Sequence, residues 1–121
     1  MKNKKINKLV EELNEKDADT REKAALKLSR TRDKNKVNIA LKNRLLIEDN
    51  FEVKRMIIYT LGKVGDKEII PILGKYSKLN DNDIEMRLVA VEALGNFSSL
   101  EASEILINCL SKESNNNVIV I

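Results

Sequence analysis

One short pattern that occurs three times constrains the fold of this chain more than any other feature. It reads TREKAALKLS, then VKRMIIYTLG, then MRLVAVEALG. The basic residues Arg21, Lys54 and Arg87 occupy the same place in each copy and are 33 residues apart in both steps. A period of about 20 to 50 residues is typical of proteins that stack one structural unit in a row. The pattern therefore predicts a repeat architecture.

The apolar residues between and within the copies recur at helical spacing. Ile6, Leu9 and Leu13 share one face of the first segment, and each later segment repeats this spacing. We predict an all-α fold, a right-handed α-solenoid of about three and a half helix pairs. The single domain, residues 1–121, divides into a half repeat at 3–15, repeats at about 17–48, 50–80 and 83–112, and a tail or truncated repeat at 113–121.

Polar residues that can cap helices mark the predicted helix starts. A capping box places an acceptor at the helix start and a Glu three residues later, which satisfies two otherwise unpaired amides. Capping boxes are predicted at Asp19–Glu22, Asp49–Glu52 and Asn82–Glu85. Single caps are predicted at Asp33, Asp66 and the Ser98–Ser99 pair.

The composition excludes several kinds of chemistry. Histidine is absent, which removes Ser-His and Cys-His nucleophiles and His-based metal sites. The single cysteine cannot form an internal disulfide, which is typical of a reducing compartment. No apolar run approaches the ~20 residues that span a bilayer. We therefore predict a cytoplasmic protein without catalytic residues, metal or cofactor.

The net charge of +3 is unevenly distributed. Residues 1–60 carry 16 Lys and Arg against 10 Asp and Glu, whereas residues 61–121 carry 6 against 9. A basic half can attract an anionic partner such as a nucleic acid. The alternative is a solvated helical surface whose charge is simply uneven.

The repeated segments resemble HEAT repeats, most closely the short variety first described in phycobilin lyases. The resemblance is clearest in DNDIEMRLVAVEALGNF and extends to DNFEVKRMIIYTLGKVGD and DADTREKAALKLSRTRD. It implies a structural ladder between repeats, formed by the Asp before the first helix of each pair and the basic residue inside that helix. The matching residues are Asp17 with Arg21, Asp83 with Arg87, and Lys54 in the middle copy, where Asn50 replaces the Asp. A row of phosphate-binding residues is the less favoured interpretation of the same positions.

The second helices of the pairs are predicted to line a concave binding face, as in other α-solenoids. Lys8, Lys42, Lys75 and Asn108 are spaced 34, 33 and 33 residues apart and form the expected row, with Asn38 and Lys78 beside it. Such a row would receive an acidic peptide, a nucleic-acid backbone or an anionic headgroup. The alternative is that these residues are polar simply because they face solvent, and that they bind no ligand.

Three functions are compatible with these sequence features. We favour a non-catalytic scaffold that binds a protein through the concave face. The alternative is a nucleic-acid-binding module that uses the basic N-terminal half, although the scarcity of aromatic residues for base stacking weakens it. An accessory to an enzyme, such as a bilin-lyase relative, is less favoured. We expect a monomer, or weak self-association through the C-terminal tail.

Overall fold

The fold of the chain is built from helices alone within the residues described. The structure, a computed structural model, describes residues 2–78 and 84–115, and the side chains of residues 4–78 and 84–109. These ranges contain no strand. The elements are α1 (Lys2–Glu12), α2 (Ala18–Leu28), α3 (Lys34–Ile47), α4 (Phe51–Val64), a 3-10 helix (Lys67–Ile69), α5 (Ile70–Tyr76), α6 (Ile84–Leu94) and α7 (Leu100–Asn115). The predicted all-helical class is confirmed.

The helices lie in two rows. In the first row α4 packs against α2 on one side and α6 on the other. The second row comprises α1, α3, α5 and α7, in which α1 contacts α3 and α5 contacts α7. The helices α1, α3 and α5 also pack against the first-row helix that follows each of them, α2, α4 and α6. Each helix pair therefore buries its apolar stripe against the next pair, as in a solenoid.

A continuous aliphatic core runs between the rows. Helix α4 contributes its centre, because Val53, Ile57, Ile58 and Leu61 are fully buried. Thr60 is also fully buried, and its hydroxyl donates to the carbonyl oxygen of Ala25 on α2 at 2.8 Å. The hydroxyl is therefore satisfied inside the core and ties two first-row helices together.

The first two predicted capping boxes are wrong by one or two residues. Helix α2 is capped by Asp17, whose side chain accepts from the amide of Thr20 at 3.0 Å, and not by Asp19. Helix α4 is capped by Asn50 and not by Asp49. A capping residue must have non-helical backbone angles, and Asp17 and Asn50 are extended whereas Asp19 already lies inside its helix.

The remaining caps have mixed outcomes. Asp66 accepts from the amide of Glu68 at the 3-10 helix, and Ser99 accepts from the amide of Ala102 at the start of α7, as predicted. Asp33 precedes α3 but its side chain makes no capping hydrogen bond. Asn82, the predicted cap of the α6 box, lies outside the described residues.

The closest approach between first-row helices occurs at Gly62. A Cβ atom built on Gly62 would lie 2.6 Å from the Cβ and 2.8 Å from the Cα of Ala93 on α6. Both distances are shorter than side chains tolerate, and one of them is to backbone. A glycine is therefore required at this contact between α4 and α6.

Replacing Gly62 by Ala should lower the free energy of unfolding by about 1–3 kcal/mol, because the added methyl forces α4 and α6 apart. This loss is expected although Ala favours helix by about 1 kcal/mol over Gly. The measurement is urea unfolding. The matched control is Gly74→Ala, whose added Cβ would lie 3.0 Å from Cδ1 of Ile105, at the end of a side chain that can move. Equal losses in the two variants would contradict this account.

Candidate functional site

The predicted binding row lies on the second-row helices. Lys8, Lys75 and Asn108 are exposed on α1, α5 and α7, and Lys78 is exposed directly after α5. We call the solvent-facing side of the four second-row helices the second-row surface. Whether these residues bind a ligand stays a prediction.

Lys42 differs from the other lysines of this row because it already has acidic neighbours. Its Nζ lies 3.2 Å from a carboxylate oxygen of Glu68 and 3.7 Å from one of Asp66, and its side chain is mostly covered. These contacts offset part of its charge. The positive field of the second-row surface is therefore weaker than the sequence predicted.

Asn38 is not part of the exposed surface, so the expectation that it lies exposed beside the lysine row is wrong. The residue is buried, and its Nδ2 donates to the carbonyl oxygens of Lys34 at 2.9 Å and Val64 at 2.8 Å. The second bond joins α3 to the end of α4. Its helical phase places it beside the buried Val37 and Leu41, so it faces the core.

A group of exposed aliphatic residues on α3 was missed by the sequence analysis. Ile39, Leu46 and Ile47 are 61%, 82% and 67% exposed, and we call them the α3 apolar patch. On the opposite side of the same helix, Val37, Leu41 and Leu45 are buried. Helical spacing could have predicted this patch, because Ile39 and Leu46 are seven residues apart and fall on the face opposite that buried stripe.

A pocket of about 490 Å³ brings together lysines that the sequence assigned to two different sites. Lys54, Lys75 and Lys78 line it, together with Asp49 and Tyr76. It lies between the start of α4 and the end of α5. Burial raises the pKa of the Tyr76 phenol above its ordinary value. Asp49 supplies one opposing charge.

Arg21 is a buried structural residue whose hydrogen bonds go to Glu48. Its Nε and Nη2 lie 2.8 and 2.9 Å from the two carboxylate oxygens of Glu48. Its Nη1 donates to the carbonyl oxygens of Glu15 and Lys16, both at 2.8 Å. Asp17, its predicted ladder partner, instead accepts from Thr20. The donors of Arg21 are directed at protein atoms rather than at an external phosphate.

Glu48 holds together three helices. It is buried after the end of α3 and also accepts from Nε of Arg44 at 2.9 Å and from the amide of Asn50 at 3.0 Å. Burial alone would raise the pKa of this carboxyl. The hydrogen bonds from Arg21, the Asn50 amide and Arg44 outweigh burial, and the pKa of Glu48 is lowered from its ordinary value. The sequence analysis did not single out Glu48.

The later steps of the predicted ladder are described only in part. Lys54 and Arg87 are half-buried on α4 and α6. Asp83 lies outside the described residues, as does Asp81, which is 33 residues after Glu48. The ladder at these positions therefore stays a prediction.

The described part of the chain shows neither a cluster of metal-binding side chains nor a helix suited to cross a membrane. No group of three or more Cys, Asp or Glu side chains there is placed to hold a metal ion. None of the helices in residues 2–78 and 84–115 combines the length and apolar character needed to cross a membrane.

Substituting Glu48 by Gln should lower the free energy of unfolding by about 3–5 kcal/mol at pH 7, because it leaves the buried Arg21 charge without its counterion. The folded-state pKa of Glu48 is depressed, so its contribution is complete above the unfolded-state pKa of about 4.3 and is lost as pH falls through the folded value. The difference between wild type and variant should therefore shrink below about pH 4.3. The check is urea unfolding between pH 7 and the lowest pH at which the protein folds, with the exposed Glu68→Gln as control. A difference that is independent of pH would contradict this role.

Comparison with known proteins agrees with the two-row helical architecture. A family described as HEAT repeats matches residues 37–119, which is more than half of the chain. No curated protein matches. The resemblance to the short phycobilin-lyase type stays a prediction. HEAT repeats are commonly protein-interaction scaffolds and typically non-catalytic. The helical repeat period, the stacked rows and this match together show that the chain belongs to the HEAT-repeat family.

Proposed function

We propose that the chain is a non-catalytic scaffold that binds a partner protein through its second-row surface, the concave face expected of an α-solenoid. The observation that carries the proposal is the α3 apolar patch. Scattered single apolar residues are normal on protein surfaces, whereas several on one helix face mark an interaction site. Fully burying an aliphatic side chain contributes about 1.5–3 kcal/mol, so this patch can anchor a partner.

The charges around the patch suggest the chemistry of the partner. Lys36 and Lys42 lie on the same helix, and Lys8 and Lys75 lie on the other second-row helices. A partner with aliphatic anchors and acidic flanking residues would match this arrangement. The apolar anchors would supply affinity, while the lysines would supply orientation and association rate.

Nucleic-acid binding is the second candidate, and the surface favours it less. Base stacking needs aromatic platforms, and the whole chain has two Tyr, two Phe and no Trp. Tyr76 is half-buried, and Tyr59 carries Lys63 above its ring at 5.5 Å from the ring centroid. The aliphatic α3 apolar patch suits a protein partner better than a polyphosphate backbone.

Affinity purification of the tagged protein from its own cells, with and without nuclease, tests the proposal. We expect a protein partner that survives nuclease and is recovered at least ten-fold less by the double variant Ile39→Ser, Leu46→Ser. Exposed positions rarely change stability by more than about 0.5 kcal/mol, so thermal unfolding should remain that of the wild type. The matched control is Leu26→Ser, Leu88→Ser, two exposed leucines on first-row helices. Recovery that collapses on nuclease treatment would favour the nucleic-acid function instead.

Charge reversal tests the contribution of the lysines separately. The double variant Lys8→Glu, Lys75→Glu should slow association with an acidic partner at least ten-fold at low salt, and the difference should diminish at high salt. Lys42 is left unchanged in this variant, because a Glu at that position would lie beside the carboxylates of Glu68 and Asp66 and would add their repulsion to the comparison. Surface plasmon resonance across salt concentrations provides the measurement. An association rate unchanged by the double variant would remove the lysines from the site.

A further inference from the structure

An open groove lies between α1 and the turn that joins α2 to α3, and we call it the end groove. Its volume is about 930 Å³. Its floor is formed by Ile6 and Leu9 of α1, which belong to the buried core and are each 9% exposed. A groove of this size with an apolar floor is suited to taking aliphatic side chains.

The rim of the end groove is strongly basic. Lys5, Lys27, Arg30 and Arg32 line it, against one carboxylate, Asp33. Among the described residues, none of these four cations forms a salt bridge. Their charges are therefore available to an acidic group from outside. An occupant of this groove should be apolar in its centre and acidic on its flanks.

Helix α7 has the complementary surface. Leu100 and Ile107 are 75% and 62% exposed and seven residues apart, so they share one face of the helix. Glu101 and Glu104 are exposed beside them. Residues 100–109, whose side chains are described, include no Lys or Arg. This part of α7 is thus an acidic helix with two unburied aliphatic side chains.

We propose that the end groove receives the exposed face of α7 from a second copy of this chain. Leu100 and Ile107 would cover Ile6 and Leu9, while Glu101 and Glu104 would meet the basic rim. A chain cannot fill its own groove, because α1 packs on α2 and α3 whereas α7 packs on α5 and α6, at the other end of the rows. The contact is separate from the second-row surface and does not depend on a partner binding there.

The proposed contact is heterologous, since it joins two different surfaces. Each copy keeps one free groove and one free α7 face, so head-to-tail contacts can continue. With two aliphatic anchors and an exposed charged rim, the contact is small, and small interfaces are weak and transient. Association should therefore be concentration-dependent and should weaken as salt screens the rim.

Sedimentation equilibrium of the full chain between about 10 μM and 1 mM tests the proposal, because weak contacts with micromolar to millimolar dissociation constants fall in this range. The groove variant is Lys27→Glu, Arg30→Glu, and the helix variant is Leu100→Ser, Ile107→Ser. Each should weaken self-association at least ten-fold. An equimolar mixture of the two retains one intact groove and one intact α7 face per pair. It should therefore yield a one-to-one dimer and nothing larger.

The chain provides a matched control for the charge change. Lys63 occupies the last turn of α4, as Lys27 occupies the last turn of α2. Lys63 also lies one repeat period, 33 residues, after Arg30. The variant Lys63→Glu, Lys67→Glu, with both positions exposed, should associate as the wild type does. Thermal unfolding followed by circular dichroism verifies that every variant folds.

Three results would overturn the proposal. The first is a wild-type chain that stays monomeric at the highest concentration in low salt. The second is association that persists in both variants or fails to return as a one-to-one dimer on mixing. The third is association abolished by Ile39→Ser, Leu46→Ser, which would locate the contact at the second-row surface. If the wild-type chain stays monomeric, binding of an acidic helical peptide that contains Leu and Glu would show that the end groove takes a different occupant.

Discussion

The buried carboxylate of Glu48 is the contact on which the junction between α2, α3 and the start of α4 depends. It receives hydrogen bonds from Arg21 on α2, from Arg44 on α3 and from the amide of Asn50 at the start of α4. An ionised carboxylate is retained inside a protein only when its oxygens are nearly all satisfied. Three helix ends must therefore hold fixed positions around one side chain. The aliphatic core supplies the driving force for stacking, and this cluster restricts the angles at which the helices can stack.

Residues whose hydrogen bonds are satisfied inside the chain form its framework, and residues that stay exposed form the proposed binding surfaces. Arg21 and Asn38 look like ligand-binding residues by type, yet their donors are consumed by carbonyls and a carboxylate of the chain itself. The residues left free are less conspicuous in the sequence, namely aliphatic side chains on α3 and α7 and cations at the rim of the end groove. Two surfaces of different chemistry result. One is chiefly apolar with sparse lysines, and the other is an apolar floor within a dense basic rim, so they would select different occupants.

The helical class and most core positions follow from spacing alone, because each apolar stripe repeats with the same phase in every copy. Helix starts were harder to predict. Asp17, Asp19 and Asp49 are chemically equivalent as caps, and only backbone angles distinguish the residue that acts. Glu48 lies outside the repeated motif, and its bond to Arg21 spans 27 residues. The helical spacing of apolar residues does not predict such a contact, although the 33-residue period places acidic residues at Glu15, Glu48 and Asp81. The α3 apolar patch was accessible to phase analysis, since its residues oppose a buried stripe on the same helix.

The connection of each second-row helix to the following first-row helix has a consequence for motion. Each helix pair packs against its neighbours, so α4 is contacted by α2 on one side and α6 on the other, whereas α1 is contacted chiefly by α2 and α3. In such a linear array the ends open at lower free energy than the middle, and local opening proceeds inwards. The end groove is formed in part by α1, which is the element expected to open first. Any occupant that requires the closed groove would therefore also act as a clamp, because its binding free energy would be added to the stability of that end.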